Sequence, residues 1–184
     1  ALLAVGDPDF SGLDRDLDPL PHAREEVEAL GVHFPLGGMV ELTGAEANED
    51  AVVAAVTGKS PRILHLATHG LVDPVEPSRT CIALAKPAGG SSDGVLDLKE
   101  IADLRPTPPL VVLSACETAG GKVERGEGVV GLARALLAAG SSTVVASLWS
   151  VADASTAELM GAFYGGLAKD ESVEKAMMGA RKEL

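Results

Sequence analysis

The chain has 184 residues, enough for one domain with a single core, and its 46% hydrophobic and 23% charged residues place it outside the disordered class. Aromatic residues make up only 3%, so Val, Leu, Ile and Ala must build that core. The formal net charge of -12 argues against nucleic acid and anionic membrane surfaces, which it would repel, and is compatible with basic peptides.

In chain order, ALLAVG (1–6) reads as a strand already under way at the first residue, so a domain excised from a longer protein is expected. Pro21 starts a helix whose Ala23, Val27 and Leu30 share a face, and Gly31 ends it. Asn48 caps a second helix, with Glu49 and Asp50 in its first turn and Gly58 beyond its end. RILHLAT (62–68) is the next strand. The stretch 71–96, with Pro, Gly and Ser clusters around CIALA, reads as a hairpin or excursion between core units.

Asp97 and Glu100 frame a third helix in cap-like spacing. LVVLSA (110–115) and STVVASLW (142–149) are strands, separated by the helix VVGLARALLAAG, which Gly140 stops. Asp153 opens a fifth helix through Leu167, and Ser172 a sixth that runs to the end. Near-continuous apolar runs of this length suit strands covered on both faces. The expected fold is therefore α/β, a mostly parallel central sheet flanked by helices.

Two cysteines far apart, with no signal-peptide pattern, indicate a reducing, cytoplasmic setting without a disulfide framework. No apolar run approaches the roughly 18 residues that a membrane span requires.

In open α/β sheets, sites form beyond the carboxyl ends of strands. Strand 62–68 delivers His69 and Gly70, and strand 110–115 delivers Cys116, 47 residues after the histidine. If the strands are neighbours, both side chains emerge at one edge, where imidazole can lower the thiol pKa and generate the nucleophilic thiolate. A buried Cys is often only a small hydrophobe. Placement of both residues at strand ends, each followed by small residues, favours chemistry.

Two rival signals are weaker. GEGVVG (126–131) matches a dinucleotide-binding fingerprint, yet ten residues separate it from the preceding strand, where the glycine turn should follow directly. Packing of a small-residue helix on the sheet is the better reading of its glycines. His65 and His69 would chelate zinc on a helix, but four residues apart on a strand they are separated by about 13 Å. His65 is then a hydrogen-bonded interior residue and Cys81 a core residue. No metal or cofactor is expected. The polar, Gly-rich loop 117–126 is a candidate lid.

HLATHG, VVLSACET and GEGVVGLARALLAAGSSTVVASLWSVAD together resemble the CHAT family, a caspase-like domain often attached to TPR repeats. The resemblance runs from about VGDP to the last helix. It implies a caspase-like three-layer sandwich and a cysteine endopeptidase, related to caspases, separases and gingipains, with a peptide substrate and a TPR-like region upstream. The implied dyad is Cys116 as nucleophile and His69 as acid and base, with the backbone N–H groups of Gly70 and Cys116 as oxyanion donors. No Asp or Asn stands out to orient His69. The resemblance further implies that Asp153 holds a basic P1 side chain, although an Asp there also serves as a helix cap. Trp149 would line the same pocket or plug the core edge.

Overall fold

The structure is a computed structural model that describes residues 1–73, 76–90, 92–114, 127–147 and 153–183. Its elements in chain order are β1 (Leu2–Pro8), α1 (Pro21–Leu30), β2 (Met39–Gly44), α2 (Glu49–Lys59), β3 (Ile63–Ala67), β4 (Gly70–Leu71), β5 (Cys81–Ala83), β6 (Val95–Asp97), α3 (Leu98–Asp103), β7 (Leu110–Leu113), α4 (Glu127–Ala139), β8 (Thr143–Ala146), α5 (Asp153–Leu167) and α6 (Val173–Glu183).

Five strands form a parallel sheet in the order β2-β1-β3-β7-β8. Side chains alternate across it. Leu3, Val5, Leu64, Leu66, Val111 and Leu113 face Val52 and Val56 of α2, Ile101 of α3, and Leu132 and Leu136 of α4. On the other face, Leu2, Ala4 and Val112 meet Val27 and Leu30 of α1, Phe163 and Tyr164 of α5, and Ala176 of α6. Covering both faces explains why β1, β3 and β7 are almost continuously apolar. The result is the expected three-layer, caspase-like sandwich.

Strand β2 has no counterpart in the sequence reading. It lies at the sheet edge and is only partly buried, so MVELTG lacks the apolar run that marks the central strands. The excursion at 71–96 contributes to a small antiparallel sheet, β4-β5-β6, where Cys81 is buried with Phe10, Leu71 and Ala83. Asn48 caps α2 by accepting from Ala51 N at 2.9 Å, and Asp97 with Glu100 completes a capping box on α3. Gly58, expected beyond α2, lies inside its last turn; Ser60, at φ 46°, ends the helix instead.

The strand order carries the functional consequence. From β1 the chain steps to β2 on one side, then returns to build β3, β7 and β8 on the other. The carboxyl ends of β1 and β3 thus flank a topological switch point, where α/β sheets place their ligands.

Candidate active site

Strands β3 and β7 are parallel neighbours, with Leu66 opposite Leu113. His69 follows Leu66 by three residues, and Cys116 follows Leu113 by three. Cys116, Trp149 and the loop 117–126 lie outside the described residues. Asp153 is the first residue of α5, and its side chain too lies outside what is described.

His69 is only 3% exposed. Its Nε2 donates to the backbone carbonyl of Asp18 at 2.7 Å, and the Phe10 ring packs 4.9 Å from the imidazole centroid, tilted by 52°. The His69 carbonyl accepts from Ala83 N at 2.9 Å, while Thr68 Oγ1 donates to Ala83 O at 2.6 Å. Ring and backbone are therefore fixed from opposite sides, one by the loop after β1 and the other by β5. With the Nε2 hydrogen committed to a carbonyl, the neutral ring presents Nδ1 as its basic nitrogen. Gly70 follows in β4, paired with Ile82.

Asp18 supplies the orienting group that no side-chain pattern indicates, because the acceptor is a main-chain oxygen. Its segment lies beside a cavity of about 740 Å³ whose lining includes Asp7, Asp9, Phe10, Arg15, Asp16 and Arg24.

His65 has a different role. It is fully buried in β3, with Nδ1 3.1 Å from the Tyr164 hydroxyl and Nε2 2.9 Å from Glu26 Oε1. The second approach is close but not aligned as a directed hydrogen bond. Glu26 Oε2 accepts from Ser114 Oγ at 3.1 Å. Burial, with the Glu26 charge adding to it, pushes the Tyr164 hydroxyl well above its ordinary pKa. Glu26 is the second unanticipated residue. It lies on the stripe of α1 formed by Ala23, Val27 and Leu30, and a carboxylate on such a stripe is itself a signal of a buried polar network.

His65 and His69 thus serve separate networks, and the described residues contain no group of three or more His, Cys, Asp or Glu able to hold a metal ion. In the rival GEGVVG motif, residues 127–131 already belong to α4 rather than to a strand-to-helix turn. A Cβ on Gly131 would meet nothing within 4 Å, so close packing does not account for that glycine.

A family model described as CHAT domain matches residues 1–184. This chain belongs to the CHAT domain family. Among curated proteins, the CHAT domain here is 30% identical over 202 residues to tetratricopeptide repeat protein 28 of Mus musculus, and 28% identical over 212 residues to the Homo sapiens protein of that name. The alignments cover 89% and 97% of this chain but 8% of each relative, so the CHAT domain spans a small fraction of those proteins. No helix among its described residues is long and apolar enough to cross a membrane.

Proposed function

We propose that this CHAT domain is a cysteine endopeptidase using Cys116 and His69. The observation that carries the reading is the imidazole of His69, fixed by the Asp18 carbonyl at the carboxyl edge of a strand whose in-register parallel neighbour leads to Cys116. A base at such an edge, oriented by a third group, is the arrangement that nucleophilic catalysis needs.

In the proposed reaction His69 Nδ1 takes the thiol proton, and the Cys116 sulfur attacks the scissile carbonyl. The tetrahedral oxyanion is met by the backbone N–H groups of Gly70 and Cys116. His69 then protonates the leaving amine, so the C–N bond breaks and an acyl-enzyme remains. Water, deprotonated by the same imidazole, releases the acid and restores the thiol. Asp153 selects a basic P1 side chain and Trp149 lines its pocket. The name of the relatives, tetratricopeptide repeat protein, supports a repeat region upstream in the full-length protein, and a reducing cytoplasm suits a free thiolate.

A second reading, a catalytically silent interaction module, draws on the same name, which denotes repeats and no activity. Labelling with a peptide-like, thiol-directed electrophile separates the two. Cys81 is an internal control, because burial pushes its thiol up and keeps it unreactive. Mass mapping of the adduct to Cys116, lost in His69→Ala, is the expected outcome. A native domain that labels at neither cysteine supports the silent module.

A further inference from the structure

The sheet edge beside His69 contains a device that the dyad alone does not require. Parallel pairing of β1 with β2 breaks register between Gly6 and Pro8, and Asp7, in the break, adopts φ 45°. A left-handed backbone is uncommon for a residue with a side chain, and a bulge at a strand end re-aims the side chain it carries. Here it directs a carboxylate sideways. Asp7 Oδ1 accepts from Leu20 N at 2.8 Å, and Oδ2 accepts from Arg24 Nε at 3.1 Å. Arg24 donates in turn to Thr43 Oγ1 at 3.2 Å, at the end of β2.

Leu20 is two residues from Asp18, and the intervening residue is Pro19, with Pro21 following. Proline fixes its own φ and restricts the residue before it, so Asp18-Pro19-Leu20 is a short, stiff strut. One end is held by Asp7; the other presents the carbonyl that receives His69 Nε2–H. The Asp7 side chain is only 14% exposed, so water competes weakly for these bonds.

We infer that Asp7 is a positioning residue for His69, acting through the Asp18-Pro19-Leu20 strut to set the tautomer and orientation of the imidazole. The inference rests on the proposed role of His69, but its first readout does not depend on catalysis. That readout is the hydrogen-exchange rate of the His69 Nε2–H proton, followed by NMR and assigned by its loss in His69→Ala.

Asp7→Ala removes both acceptors. Asp7→Asn keeps a side chain suited to the φ but cannot offer acceptors to Leu20 N–H and Arg24 together. In both variants the proton should exchange at least about tenfold faster as the strut loosens. Peptide cleavage should fall about tenfold or more in kcat with KM little changed, as expected for a misplaced catalytic group. An unchanged exchange rate in a folded Asp7→Ala variant overturns the inference. Should that variant not fold, an unchanged rate in Asp7→Asn does so. If the proton responds to Asp7 while the wild-type chain neither cleaves peptide nor labels at Cys116, the endopeptidase reading fails and the positioning role stands. If the wild-type chain cleaves but kcat and the proton are indifferent to Asp7, only the positioning role falls.

Discussion

Ser114 Oγ donates to Glu26 Oε2 at 3.1 Å, which ties the residue after β7 to the helix that covers one face of the sheet. Glu26 also approaches His65, and His65 reaches Tyr164, so α1, β3, β7 and α5 meet in one buried polar network. Ser114 is two residues before Cys116 in the sequence. The network therefore draws on the same two strands that the proposed dyad follows in the sequence.

That separation predicts opposite phenotypes for two histidines four residues apart. His65→Ala strands Glu26 and the Tyr164 hydroxyl inside the protein, and breaking such a buried pair costs about 3–5 kcal/mol. His69→Ala leaves the Asp18 carbonyl without its donor and should cost less, about 1–3 kcal/mol, while abolishing cleavage. Urea unfolding and peptide hydrolysis, measured on both variants, test the contrast. Equal loss of activity at equal stability would mean that the catalytic histidine is misassigned, or that His65 supports the site directly.

A second prediction concerns how closely α1 approaches the sheet. A Cβ on Gly6 would lie 2.7 Å from Ala23 O and 2.8 Å from Val27 Cγ2, both on α1. The backbone oxygen cannot turn aside, so Gly6→Ala must push the helix outward and Glu26 with it. Overpacking of this kind costs about 1–3 kcal/mol. The urea midpoint should fall with the slope unchanged; a variant as stable as wild type would show that α1 gives way freely.

The pH dependence of stability has a sign set by Tyr164. Its hydroxyl is raised well above the ordinary value by burial and by Glu26, so in alkali the unfolded chain releases this proton first. The contribution is fully present below the unfolded pKa of about 10 and is lost as pH rises, by up to about 1.4 kcal/mol per unit. Tyr164→Phe loses the contact with His65, about 1 kcal/mol at neutral pH. It also loses this alkaline penalty. The deficit of the variant should shrink between about pH 8 and pH 11. Cys81, likewise raised by burial, titrates in both proteins and cancels in the difference. A deficit that stays constant over that range would contradict the assignment.

How much of this was legible depended on whether the signal lay in side chains. Strands β1, β3 and β7 announce themselves as apolar runs because both faces are covered; β8, partly buried at one edge, keeps an apolar run in TVVA, whereas MVELTG of β2, partly buried at the other edge, does not. The placement of His69 just after a strand was legible. The Asp18 carbonyl that orients it is main chain and leaves no residue signature. Asp7 was hidden for a related reason, since a bulge is a property of pairing and not of composition. Glu26 was readable in principle as a charge on an apolar stripe, but its partners His65 and Ser114 come together only when β3 pairs with β7.

The last prediction concerns substrate choice. If Asp153 projects into the P1 pocket, its carboxylate pairs with Arg or Lys, and Arg meets it with two parallel hydrogen bonds. A charge-assisted pair of this kind is worth roughly 1.5–3 kcal/mol, so replacing the carboxylate should cut the preference for Arg over Leu at P1 by about tenfold or more. The choice of variant matters, because Asp153 also begins α5, where a carboxylate favours the helix N-terminus. Asp153→Ala would remove both roles at once. Asp153→Asn keeps a side-chain oxygen that can accept from the helix-terminal N–H groups, at a cost of about 0.3–1 kcal/mol in the lost charge–dipole attraction, and loses the charge that a basic side chain needs. With folding preserved, kcat/KM for matched Arg and Leu peptides reports on the pocket alone. An unchanged ratio in Asp153→Asn would leave Asp153 as a helix-starting residue, and the basic preference would have to come from elsewhere.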